Sequence, residues 1–312
     1  MTLAALAFDA TWLAALRARA NQPPLRPRVP LWAGTGAVGS ILPDFMHQIG
    51  LWPASHVHSL LLKEELSTPG YGAEQAWRIQ GDVTTTLHQL AHALRDANVG
   101  HVARYWRNEL LAVNNAHGQR VGQVERGAVR TLGIATRAVH LVGRSVDGRI
   151  WVQQRAVDKA NDPGLWDTLM GGMVSAQDTM DTALARETWE EAGLHLDALG
   201  TVQCCGSFTV RQPTGEPDDD DDNDGMAYMV EEPDWFQCTV PDGVVPVNQD
   251  GEVAQFLLLE PDELVARFGA GGGAWAFSHL RTTCFLDSPN DVFDGTPMPL
   301  NRDQFRSVFS GS

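Results

Sequence analysis

Gly172-Met-Val-Ser-Ala-Gln-Asp178-Thr-Met-Asp-Thr-Ala-Leu-Ala-Arg186-Glu187-Thr-Trp-Glu190-Glu191-Ala-Gly193-Leu194 is the stretch from which the rest of the chain can be read. Its second half predicts a helix over Thr179–Ala192. Thr179, or Asp178 beside it, supplies an N-cap oxygen, and Asp181 sits at the positive end of the helix dipole. Gly193 closes the helix, being the residue that adopts a left-handed backbone at least cost. Ala185, Thr188, Trp189 and Ala192 fall at i, i+3, i+4 and i+7, the expected packing stripe. Glu187, Glu190 and Glu191 fall at i, i+3 and i+4, on a face largely opposite that stripe.

Three carboxylates stacked this way repel one another by a few tenths of a kcal/mol per pair. Two of them also occupy the last turn, where the dipole favours cations. A local rule broken without a visible gain in stability is characteristic of a functional site. Convergent carboxylate oxygens suit a hard divalent cation, with Mg²⁺ the first choice and Mn²⁺ a substitute. An acidic solvated face remains the competing reading of the helix taken alone.

Outward from this helix, Ile134–Gly143 and Arg149–Arg155 predict a hairpin turning at Asp147-Gly148. Downstream strands are expected at Gly200–Val210, Met226–Val230, Trp235–Val240 and Val253–Leu259. A helix entered through Pro261 should run to Phe268, broken by Gly269–Gly273, with another starting near Ala274. Upstream, Val83–Ala97 reads as a helix burying Leu87, Leu90, Ala91 and Leu94. Short strands follow at Asn108–Asn114 and Gln119–Val124. Pro23, Pro24, Pro27 and Pro30 mark an extended connector after a helix at residues 9–20. The expected domains are residues 1–130 (α+β), 131–290 (α/β) and a tail, 291–312.

The 312-residue chain carries a net charge of −16, against nucleic-acid or anionic-membrane binding as its main task. Nine acidic residues and no basic one lie between Glu216 and Glu232. The run Asp218–Asp222 within them reads as a solvated loop, with an accessory metal or lid loop as the sharper alternative. Met1–Ala20 is rich in alanine and leucine, but it lacks an early Lys or Arg and is interrupted by Asp9. The four cysteines show no metal-binding spacing and read as reduced thiols. Together these features predict a soluble, cytoplasmic protein. Gly34-Thr-Gly36-Ala-Val-Gly39 matches a dinucleotide-binding pattern, but proline-rich sequence precedes it and Pro43 cuts off the helix it would need. His88 and His92 lie one helical turn apart without the intervening Glu of a zinc helix, and read as a surface pair.

The opening stretch resembles the Nudix box, G-x5-E-x7-R-E-U-x-E-E-x-G-U. Gly172, Arg186, Glu187, Glu190, Glu191, Gly193 and Leu194 match it. Asp178 stands in place of the first Glu, and Thr188 in place of a bulky aliphatic residue. The resemblance implies an α/β/α sandwich around a mixed sheet and metal-dependent hydrolysis of a diphosphate linkage. Glu187, Glu190 and Glu191 would be metal ligands, and Arg186 would orient one of them through a bidentate pair. Gly171-Gly172 would bring the backbone close to the ion. Arg155 and Lys159, before Pro163-Gly-Leu-Trp166-Asp167, are candidates for holding phosphate oxygens. Glu252, at the start of the last strand, is the candidate general base.

Arg107-Asn-Glu109, Glu125-Arg126, Gly133-Ile134, Val139-His140-Leu141 and Asp250-Gly-Glu-Val253 further resemble a Nudix subfamily with an extra N-terminal domain. That subfamily is related to the Nudix part of thiamine pyrophosphokinase fusions, which implies damaged thiamine diphosphates as substrates, cleaved to monophosphates. Oxidised nucleoside diphosphates are the competing substrates. The string from Gln153 to Asp167 is also similar to isopentenyl-diphosphate isomerases, yet residues 160–180 contain neither the Cys nor the His that those enzymes use. A non-catalytic binding module is the remaining alternative. The oligomeric state is open, a homodimer included.

Overall fold

A computed structural model describes residues 20–45, 60–68, 72–159, 162–214 and 225–269, together with Ala18 and His47. The bulk of the expected first helix, the Asp218–Asp222 run, Cys284, the helix near Ala274 and the tail from 291 lie outside the described residues.

The N-terminal part begins with a hairpin, β1 (Val29–Ala33) and β2 (Gly36–Ile41). Its turn holds Gly34 at φ 56°, so the glycine-rich motif there joins two antiparallel strands and opens no helix. β3 (Leu61–Thr68) and β4 (Gly72–Ile79) complete a sheet in the order β2-β1-β4-β3. Helix α1 (Val83–Asp96) is capped by Asp82, whose carboxylate accepts the Thr85 N–H at 2.8 Å. It buries Leu87, Leu90, Ala91 and Leu94, the stripe expected from their spacing. β5 (Leu110–Asn114) and β6 (Arg120–Glu125) pair antiparallel. Apolar residues of β1, β2, α1, β5 and β6 share one core with Leu132 and Ile134.

The second part is built on β7 (Thr136–Ser145) and β8 (Ile150–Arg155), whose turn is tightened by Asp147 accepting from Ser145 and Arg149. The short β9 (Trp166–Asp167) and β10 (Met170–Met173) lead into α2 (Met180–Ala192). β11 (Gln203–Ser207), β12 (Val210–Pro213), β13 (Tyr228–Val240), β14 (Val253–Leu259) and α3 (Pro261–Gly269) follow. The strand order along the sheet is β11-β13-β7-β8-β14, with β10 on β7, β9 on β8 and β12 on β13. β13 runs parallel to β7 and the other pairings are antiparallel, so the sheet is mixed.

Three expectations are corrected. The strand expected over Gly200–Val210 is two strands, β11 and β12, both paired to β13. The strands expected at Met226–Val230 and Trp235–Val240 are one, β13, which runs through Pro233. Proline lacks the N–H of an interior ladder. Pro233 sits where the neighbour on that side changes, since β12 pairs up to Glu231 and β11 pairs from Asp234. Four strands between Val29 and Ile79 occupy sequence in which no strand is expected from local pattern.

The two parts touch near the start of α2. Ala176 N–H donates to Leu110 O at 2.7 Å, and Leu111 bridges Ser175. Arg28 is 2% exposed and donates to Ser40 O, Thr131 O and Met226 O at 2.6, 2.7 and 2.8 Å. A buried guanidinium needs this many acceptors to offset its lost hydration.

Candidate active site

Helix α2 is entered through a capping box: Thr179 Oγ1 accepts the Thr182 N–H at 3.2 Å, and Thr182 Oγ1 accepts the Thr179 N–H at 2.8 Å. Such a cap is worth about 1 kcal/mol. Gly193 ends the helix at φ 65°. A side chain there would meet the Val247 carbonyl oxygen, so glycine is required on two counts. The buried side of the helix is Ala183, Leu184, Thr188, Glu191 and Ala192. This corrects the expected stripe: Ala185 is exposed, and Trp189 is 42% exposed, stacked on His195 at 4.4 Å. The helix is rotated so that the glutamate face turns toward the sheet, where β10 and β8 meet it.

Glu191 is 2% exposed. Its Oε2 accepts the Gly171 N–H at 2.9 Å and the Gln153 Nε2–H at 2.8 Å. Lys159 Nζ stands 4.0 Å from its other oxygen. Burial dominates its titration and pushes the carboxyl up to about 8, against the opposing pull of Lys159. Glu187 is also mostly buried, and burial raises it to about 7 although Arg186 works against the rise and Glu190 adds to it. Its carboxylate lies over Gly172, filling the place where a side chain would begin. Glu190 is the more exposed of the three, its side chain 40% accessible.

Arg186 holds this group together. Nη1 donates to Glu187 at 3.0 Å and to Glu190 at 2.9 Å, while Nε and Nη2 both reach Asp178 Oδ2, at 3.2 and 2.7 Å. The two-nitrogen grip therefore falls on Asp178 and not on a helix glutamate, a correction to the expected pairing. For Asp178 burial acts upward, but the bonds from Arg186 outweigh it and hold the carboxyl below its usual range. Its shorter side chain is occupied as the anchor of Arg186.

Lys159 bonds Glu252 as well as approaching Glu191, which places Glu252 on the same cleft as the helix glutamates. Burial would raise the Glu252 carboxyl, but the Lys159 bond and charge prevail and keep it low. Arg155 turns inward, Nη1 lying 3.5 Å from the buried Asp167. His140, stacked on Trp235 at 4.5 Å, lies 3.7 Å from the same carboxylate and packs against the Gly171 backbone. Gln153, Asp167 and His140 are participants that the sequence reading quoted only within longer stretches and gave no role in the site. The available signal was polarity in a buried strand: Gln153 lies between Val152 and Gln154 in β8, and nothing local shows which face is covered.

Among the described residues, no three His, Cys, Asp or Glu side chains already converge on one point as a metal cage. Glu187 and Glu190 are drawn to Arg186, and Glu191 to Gln153 and Gly171. The donor set nevertheless suits a divalent cation. Glu187 and Glu191 are both buried on the side of the helix that meets Gly171-Gly172, each with one cation near it (Arg186 and Lys159), and Gln153 Oε1 is buried without a hydrogen-bond partner.

Residues 135–279 match the family model of the NUDIX domain. A "Nudix hydrolase" from Deinococcus radiodurans is 25% identical over 169 residues, spanning 54% of this chain and 88% of that protein. An "uncharacterized Nudix hydrolase" from Streptomyces coelicolor is 34% identical over 86 residues, 28% of this chain and 48% of that protein. The chain thus spans about half the length of the latter. A crystal structure of a Deinococcus radiodurans protein superposes with a TM-score of 0.40 at 25% identity, over 52% of this chain and 90% of that one.

Proposed function

We propose, for a chain whose residues 135–279 are a NUDIX domain, that it hydrolyses the diphosphate linkage of a small organic diphosphate with the help of a divalent cation. The observation that carries this reading is Glu191, a nearly inaccessible carboxylate fixed by Gly171 and Gln153 beside Glu187 and Lys159. Burial raises the Glu187 and Glu191 carboxyls even with Arg186 and Lys159 beside them, and a divalent cation would further favour their ionised forms.

In this reading Glu187, Glu190 and Glu191 hold Mg²⁺, with Mn²⁺ as a substitute. The bound ion supplies neutralisation of the diphosphate oxygens. Arg186 sets the helix carboxylates relative to one another through its three acidic partners. Lys159 takes a phosphate oxygen, and in doing so releases Glu252 from its present bond. Glu252, kept ionised by Lys159, then accepts the proton of the attacking water. Water oxygen adds to phosphorus as the bridging P–O bond breaks, giving two phosphate-bearing products. Arg155 belongs to this surface through Asp167.

The resemblance over Glu109, Glu125-Arg126 and Asp250–Val253 favours a damaged thiamine diphosphate, cleaved to the monophosphate. Oxidised nucleoside diphosphates are the rival substrates. Among the described residues no helix is long and apolar enough to cross a membrane; cytoplasmic placement is part of the proposal. The decisive experiment is phosphate release from thiamine diphosphates, oxidised nucleoside diphosphates and sugar nucleotides, with and without Mg²⁺, in ¹⁸O-labelled water. Label in a product phosphate, dependent on the metal, is the expected result. Metal-independent turnover, isomerisation without label, or no turnover of any diphosphate would overturn the reading.

A further inference from the structure

Gln153 keeps an amide where the surroundings favour an apolar side chain. It is 0% exposed. Trp151, two residues before it on β8, and Phe256, its cross-strand partner on β14, both pack on the core that includes Leu184 and Ala192 of α2. A leucine or methionine at this position would join that core. Gln153 instead carries two polar atoms into it, and among the described residues only one of them is satisfied. Nε2 donates to Glu191 Oε2 at 2.8 Å, while Oε1 is buried with no hydrogen-bond partner. An unmet buried acceptor is a net cost to folding. A local rule broken in this way marks a residue kept for function.

What the amide does is visible at Glu191, whose two carboxylate oxygens have different surroundings. Oε2 takes both N–H donors, Gln153 at 2.8 Å and Gly171 at 2.9 Å. Oε1 faces a cation instead, Lys159 Nζ at 4.0 Å. The two donors come from different strands: β8 is held by β9 and β14, and β10 by β7. One donor alone would let the carboxylate turn about its last bond and exchange its oxygens. Two donors on one oxygen, from separate strands, pin its plane. The ionised carboxylate in turn fixes the amide, because turning Gln153 over would set an acceptor against an acceptor.

We infer that Gln153 is a positioning residue for the metal: by engaging Oε2 together with Gly171, it presents Oε1 of Glu191 to the divalent cation, on the side now faced by Lys159. The inference rests on the hydrolase reading above and adds to it which oxygen ligates and which side chain selects it. The rival explanation is a buried amide that serves packing alone. A packing role predicts lost stability with metal affinity intact. A positioning role predicts the reverse, since the unmet acceptor leaves together with the amide.

The test compares full-length wild type with Gln153→Met, which replaces the amide at similar length, and Gln153→Asn, which keeps an amide but withdraws it by one methylene. Mn²⁺ affinity is read from the electron paramagnetic resonance of the free ion, and thermal unfolding is followed with and without Mn²⁺. Both variants should weaken Mn²⁺ by roughly 10- to 100-fold, the range for removing the partner of a metal ligand. The Mn²⁺-induced rise in unfolding temperature should shrink accordingly, while the metal-free unfolding temperature of Gln153→Met stays near or above that of wild type. Should Gln153→Met fail to fold, Gln153→Asn carries the same Mn²⁺ measurement. Unchanged Mn²⁺ affinity, or a less stable metal-free Gln153→Met with an undiminished Mn²⁺-induced rise, would overturn the assignment while leaving the hydrolase reading intact. A wild type that binds no Mn²⁺ would overturn both.

Discussion

The carboxylate of Glu187 lies where a side chain at Gly172 would start, so helix α2 and strand β10 approach each other through a missing Cβ. A methyl group at position 172 would have to displace the carboxylate or separate the helix from the sheet. Gly172→Ala should therefore reduce turnover by roughly 10- to 100-fold, the range seen when a metal ligand loses its support. The circular dichroism spectrum should be retained. Wild-type turnover in this variant would show that Glu187 need not sit where it does.

Proton linkage gives an independent check on the buried pair. Glu187 and Glu191 have ordinary values near 4.5 when unfolded and about 7 and about 8 when folded. Between those limits the folded, metal-free protein binds more protons than the unfolded chain, so its stability should fall as pH rises from about 4.5 to about 8. Below that window both states are protonated, and above it both are ionised, so the dependence ends at each side. Mg²⁺ should bind more tightly toward the upper end and release protons as it binds. Thermal unfolding across this range and calorimetry in buffers of different ionisation enthalpy measure the two effects. Glu191→Gln should remove most of both, and a flat profile in the wild type would contradict the burial argument.

Glu252→Gln separates the proton acceptor from the metal carboxylates. The expected loss is in kcat, by roughly 10²- to 10⁴-fold, with Mg²⁺ affinity little changed. Steady-state kinetics over a Mg²⁺ titration reads both. An equal loss in Mg²⁺ affinity would move Glu252 into the metal set, and an unchanged kcat would leave a helix glutamate to take the proton.

Arg28 tests whether the two parts fold as one. Its guanidinium bonds Ser40 in the first part and Thr131 and Met226 in the second. Arg28→Met leaves those buried carbonyls unsatisfied, at about 1–3 kcal/mol each where no relaxation relieves them. Chemical denaturation should show a loss of at least about 3 kcal/mol in a single cooperative transition. Two separated transitions in the wild type would instead mark residues 1–130 and 131–290 as independent units.

The elements legible in the sequence are those whose determinants lie within a few residues of each other. The Thr179 cap and Gly193 stop bound α2 to within a residue, and the Asp147-Gly148 turn places the β7–β8 hairpin. The leucine spacing of α1 holds for the same reason. β1 to β4 were not legible, because their pairing joins residues such as Leu31 and Trp77 across undistinguished intervening sequence. The continuity of β13 was not legible for a related reason: whether a proline such as Pro233 breaks a strand depends on which neighbour would have used its N–H, and here that neighbour changes at the proline.

By itself the sequence determined that a capped helix carries Arg186, Glu187, Glu190 and Glu191 at fixed angular spacing, because helical geometry is local. Only the tertiary structure decided which of those carboxylates is buried, and by what. Glu191 is held by Gln153, 38 positions away, and by Gly171. Arg186 grips Asp178, eight positions before it. The stripe read from the helix alone pointed Trp189 inward, whereas the structure turns it out and Glu191 in. Periodicity reports the angles between side chains on one element. The absolute rotation of that element, and hence the desolvation that raises a carboxyl's pKa, is set by the surface it packs against.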